Sequence, residues 1–167
     1  MQIELRKIHY SAQLSEETSA YTAQVWVDGK HLVDVKNDGH GGSDAQYPIP
    51  PFTYGDLKAL NERIRAEFPP TDMSQYGMSP IQADLESVCG DLLATHLIER
   101  DLKRVMRSKV VFVADGKVRE VGFKGMRSLT PEALKKGIEI VGQKYPGAKV
   151  LNTLPLQEAV ATFRAAT

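Results

Sequence analysis

Hydrophobic and polar positions alternate along much of the first 36 residues. Tyr21, Ala23, Val25 and Val27 are separated by Thr22, Gln24 and Trp26, a period of two. Asp28-Gly29 then supplies the pair that a tight hairpin turn with positive φ prefers, and Leu32, Val33 and Val35 make the return strand. Upstream, Gln2 to Tyr10 alternates at Ile3 and Leu5, but Ile8 is out of phase. This predicts a strand that either bulges near Arg6-Lys7 or has both faces partly covered. With Ser11 to Ser19 as a polar connection, the three strands form an antiparallel meander.

The period then changes. Tyr47-Pro48-Ile49-Pro50-Pro51 lacks backbone donors at three positions, which forbids a central strand and predicts a linker or packed extended segment. Thr53 caps a helix through Leu57, Leu60, Ile64 and Phe68, stopped by Pro69-Pro70. Thr71 to Met78 reads as a loop. Ser79-Pro80-Ile81-Gln82 matches a capping box and predicts the start of a second helix. Its stripe of Leu85, Val88, Cys89, Leu92, Leu93, His96 and Leu97 continues through Leu102, Val105 and Met106 to about Arg107, with Gly90 a place to kink. From Lys109 to Phe123 a second hairpin turns at Asp115-Gly116, and Val110 to Val113 reads as buried on both faces. A helix from Thr130 to Tyr145, a short strand over Lys149–Asn152 and a final helix from Pro155 to Ala165 complete the chain.

Strands and helices segregate in the first half and mix in the second, which points to an α+β fold: an antiparallel sheet, the meander plus the second hairpin, packed against several helices. The expected organisation is one domain over residues 1–167 with a shared core, and a sub-lobe boundary near Ser108 as the alternative. The 21 basic and 21 acidic side chains cancel, so the overall field of a dedicated nucleic-acid binder is missing. One cysteine excludes a disulfide framework, and no stretch has the length of a membrane span. The expected setting is the cytoplasm, with no cofactor and no membrane partner.

Candidate chemistry concentrates in Asn37-Asp38-Gly39-His40-Gly41-Gly42-Ser43-Asp44, a polar loop at a strand end. Asp38, His40 and Asp44 are of the types that hold a divalent ion. The loop nevertheless matches no helical zinc motif, calcium loop, dinucleotide fingerprint or phosphate loop. The plainer reading is a sharp turn permitted by Gly39, Gly41 and Gly42, with Asn37 and Asp38 bonding their own backbone. Arg100, Lys103, Arg104, Arg107 and Lys109 cluster at the end of the long helix, either as cations favoured at a helix C-terminus or as a small docking surface for anions. His96 reads as a core or boundary residue of the helical stripe, and Cys89 as a small buried hydrophobe.

MQIELRKIHY, the VDGK turn, KNDGHGG, SKVVFVADGKVRE and KVLNTLP together resemble a class of small proteins encoded by bacteriophages and other bacterial mobile elements. The resemblance covers most of the chain and implies a context, with no established activity. It favours an accessory protein that binds a host or phage macromolecule, including an inhibitor of host defence. The leading expectation is therefore a non-enzymatic binding protein using Asp38, Gly39, His40, Gly41, Gly42 and Asp44, and the basic residues Arg100, Arg104 and Arg107. Its expected partner is a host or phage protein, with weak nucleic-acid contact as a lesser possibility. The alternative is a small metal-dependent hydrolase or nuclease built on the loop.

Overall fold

The computed structural model describes residues 1–167 and is α+β, with two antiparallel sheets. The chain divides into two compact units, Met1–Leu93 and Ala94–Thr167, the division falling inside the long helix.

In the first unit, β1 (Ile3–Ser11), β2 (Ala20–Val27), β3 (Lys30–Asn37) and β4 (Ala45–Pro48) pair in sequence order. The meander is thus extended by a strand that the prolines concealed. β4 lies at the sheet edge, where a proline's missing N–H is tolerated. The out-of-phase Ile8 has its cause in a bulge: the β1–β2 register shifts between Arg6 and His9, and Lys7 adopts φ 50°. Asp28 and Gly29 both have positive φ, as the tight turn requires.

One face of this sheet buries Tyr21, Ala23, Val25, Val27, Val33 and Val35. The opposite face carries Trp26, clamped between the Arg6 guanidinium, 4.0 Å from the ring centroid, and the stacked His31 ring. Helix α1 (Tyr54–Glu67) contributes Leu57, Leu60 and Ile64 to the core, and the first half of α2 (Leu85–Met106) contributes Leu85, Val88, Cys89 and Leu93. Thr53 caps α1 as its sequence predicts, with Asp56 returning the bond to the Thr53 backbone.

Helix α2 begins later than Ser79-Pro80 suggests. Ile81 pairs with Thr71 in an isolated bridge, and the cap is Asp84. Its carboxylate accepts from the Ser87 N–H at 2.8 Å, and the Ser87 hydroxyl accepts from the Asp84 N–H at 2.9 Å. The Asn61 side chain of α1 takes the Leu85 N–H at 2.7 Å. These bonds satisfy the helix end where the core begins, which outweighs a local motif five residues upstream. His96, read from sequence as a core or boundary residue, is exposed.

In the second unit, β5 (Lys109–Ala114) is the centre of a three-stranded sheet, flanked by β6 (Lys117–Gly122) and β7 (Lys149–Val150). Val110, Phe112 and Ala114 pack with Val141, Leu134 and Tyr145 of the α3 region (Pro131–Lys144). Val111 and Val113 face the second half of α2 and helix α4 (Leu156–Arg164), meeting Leu102, Ala159 and Val160. The strand is buried on both faces, as its unbroken apolar run implies. The strand expected over Lys149–Asn152 stops at Val150, because Leu151–Thr153 coils into a tight helical turn.

Phe112 is 1 % exposed and touches Tyr145, with ring centroids 5.2 Å apart. Phe112→Ala is expected to cost about 3–5 kcal/mol in chemical denaturation. A loss below about 1 kcal/mol would show that the core of this unit is elsewhere.

Candidate functional site

The glycine loop is organised by the residue at its root. Asn37 closes β3 and is the one buried polar side chain of the core. Its carbonyl oxygen accepts from the Thr18 hydroxyl at 2.7 Å and the Gly39 N–H at 2.9 Å. Its amide donates to the Gly42 carbonyl at 3.2 Å and to Asp44 Oδ1 at 3.0 Å. One side chain therefore spans the loop from end to end and fastens it to the β1–β2 connection.

Gly39 completes the fastening. Its carbonyl accepts three backbone N–H groups, those of Glu16, Glu17 and Thr18, at 3.0 to 3.3 Å. A Cβ at this position would lie 2.0 Å from the Leu14 carbonyl oxygen and 2.9 Å from Ala20 Cβ, and φ is +90°. Only glycine fits such an approach. At Gly42 φ is +89°, but nothing lies within 4 Å of the added carbon.

The three chemistry-bearing side chains part company. Asp38 pairs with Lys36 at 2.8 Å, and exposed His40 with Glu16 at 3.2 Å. Asp44 turns inward to accept from Asn37 and from the Tyr21 hydroxyl, while its N–H donates to Glu86 of α2 at 3.1 Å. No three His, Cys, Asp or Glu side chains are gathered as a metal-holding group. Sequence reasoning missed Thr18, Tyr21, Glu16 and Glu86. These partners lie 19 to 42 residues from their loop bonding partners, so only Asn37, a polar residue at the end of an apolar strand phase, offered a signal.

Behind Asp44 the environment suppresses reactivity. Burial first, and then the bond to Asp44, pushes the Tyr21 hydroxyl far above its usual range. Burial, reinforced by Asp44, Asp84 and Glu86, pushes the Cys89 thiol up to about 12. The thiol stays protonated at neutral pH and is no nucleophile.

At the other predicted site, the cations have carboxylate neighbours. Asp101 is shared by Arg100 at 3.3 Å and Arg104 at 3.7 Å, Lys103 meets Glu99 at 3.6 Å, and Lys109 bonds Glu120. Arg107 is exposed, and its backbone carbonyl accepts from the Leu129 N–H at 2.7 Å. Beside this cluster lies a cavity of about 360 Å³ that no sequence motif announced. Leu97, Ile98, Leu102 and Val105 of α2, Val111 of β5, Val118 of β6 and Phe163 of α4 supply its apolar lining, and Asp101, Arg119 and Glu120 its charged part.

The chain was compared with family models, curated proteins and solved structures, and none of them matches.

Two outcomes are expected. Gly42→Ala should cost about 1–2 kcal/mol, the ordinary penalty for a side chain at positive φ, whereas Gly39→Ala should cost at least about 3 kcal/mol because the backbone itself must move. Equal losses in urea melts would mean that the Gly39 approach is not a constraint. Separately, alkylation of Cys89 at pH 8 should proceed only as fast as the chain opens. Labelling at the rate of a free thiol would refute the buried, protonated assignment.

Proposed function

We propose that the chain is a non-enzymatic binding protein, an accessory factor whose partner is a host or phage protein, with inhibition of a host defence factor as the role its sequence resemblance favours. The observation that carries this reading is the apolar cavity of the second unit. Cavities of a few hundred Å³ with an apolar lining and a few polar groups at the rim are where proteins take up a ligand or a partner's side chain.

The loop supports the same reading from the other side. Asp44 is held within the fold and Asp38 and His40 are paired with Lys36 and Glu16 at the surface, so the three do not converge; through Asn37 and Gly39 the loop braces the connection between β1 and β2, and the metal-dependent hydrolase reading draws no support from it. Nucleic acid is the lesser partner. Carboxylates accompany the cations of Arg100, Arg104 and Lys109, which weakens a phosphate contact, and any such contact should be salt-sensitive and without sequence preference.

No helix is long and apolar enough to cross a membrane. The test is site-specific photocrosslinking in cells that express the full chain. A benzophenone side chain at position 97, on the cavity wall, should give a discrete protein adduct that the same group at position 22, exposed on β2, does not. No adduct at 97, or the same adducts at both positions, would contradict the reading.

A further inference from the structure

Strand β6 is an edge of its sheet, and the hydrogen-bonding direction of the ladder settles which of its backbone groups are unused. The Val111 N–H is donated to Asn152 Oδ1 at 2.7 Å, and the Lys109 carbonyl accepts from the Asn152 amide at 3.0 Å. Both groups therefore point away from β6. In an antiparallel pair the direction alternates residue by residue, so β5 bonds β6 through Val110, Phe112 and Ala114, whose partners are Val121, Arg119 and Lys117. The N–H and C=O groups of Val118 and Glu120 are then the ones directed to the open edge. Both residues line the cavity, together with Arg119 between them. Free backbone and apolar cavity coincide.

Resting on the binding-protein reading, we propose that β6 captures an extended peptide segment of the partner as an added strand, and that this segment alternates apolar and acidic residues. Residues opposite Val118 and Glu120 would share their face and reach the cavity. The intervening residues would share the face of Lys117 and Arg119, two cations. On that face Lys117 is exposed and the Arg119 guanidinium lies 5.1 Å from the centre of the Tyr145 ring, so acidic side chains at the intervening positions meet positive charge.

A second copy of this chain fits worse. Opposite residues in an antiparallel pair share a face, so a two-fold pairing must centre on a residue. Centred on Val118 it sets Lys117 against Arg119, on Arg119 it sets that residue against itself, and on Glu120 it opposes two glutamates. Each arrangement places like charges directly opposite, which destabilises the pair.

The probe is an end-capped seven-residue peptide alternating glutamate and valine, titrated against the full chain by fluorescence anisotropy and by amide shifts. The expected result is binding that shifts Val118 and Glu120, weakens about tenfold or more when lysine replaces glutamate, and is lost when alternate peptide amides are N-methylated. Glu120→Pro, which removes the outward N–H as well as the carboxylate, should lose the peptide, and Glu120→Ala, which removes the carboxylate and keeps the N–H, should retain it within about threefold. Equal binding of the acidic, basic and N-methylated peptides would overturn strand addition. So would self-association of the chain that Glu120→Pro disperses. Crosslinking at position 97 without peptide discrimination would leave the cavity's binding role standing and remove this mode alone.

Discussion

The first unit depends on the burial of a single amide. Asn37 ends an apolar strand phase inside the core, where an unsatisfied amide would cost about 1–3 kcal/mol for each group left without a partner. Four bonds answer that cost, and each reaches a different piece of chain: the β1–β2 connection, Gly39, Gly42 and Asp44. The loop's shape follows from this satisfaction. Gly39 must pass against the Leu14 carbonyl for the Thr18 hydroxyl to reach Asn37, and Asp44 must turn inward, where it meets Tyr21. Asp44 is thereby taken up as structure, while Asp38 and His40 stay at the surface in ion pairs with Lys36 and Glu16.

The second unit is governed by the same residue type. Asn152 takes the Val111 N–H and donates to the carbonyls of Lys109 and Met106, filling the place beside β5 that a longer β7 would occupy. By fixing which way the β5 backbone points, it also fixes which groups of β6 remain open. A polar side chain on one side of β5 is thus in phase with the backbone groups that β6 leaves open on the other.

How much of this could be read from the chain follows the range of each interaction. The β1 bulge was legible because one out-of-phase isoleucine marks it, and both Asp-Gly hairpins because the turn residues themselves carry the signal. The apolar run around Phe112 announced burial on two faces. Where a local pattern competed with a tertiary one, the tertiary one decided: Ser79-Pro80 has the composition of a cap, but Ile81 is drawn to Thr71 and Asp84 caps a helix that starts at Leu85. In the loop, sequence supplied the residues but not their partners. Glu86 lies 42 residues from Asp44. The cavity was invisible because its walls come from α2, β6 and α4, three segments each of which reads as ordinary core.

Native-state hydrogen exchange, resolved residue by residue, reports on both asparagine networks at once. The account predicts that the Gly39 amide exchanges only with global unfolding, and that along β6 protection alternates, strong at Arg119 and Val121 and weak at Val118 and Glu120. Rapid exchange at Gly39, or uniform protection along β6, would contradict it.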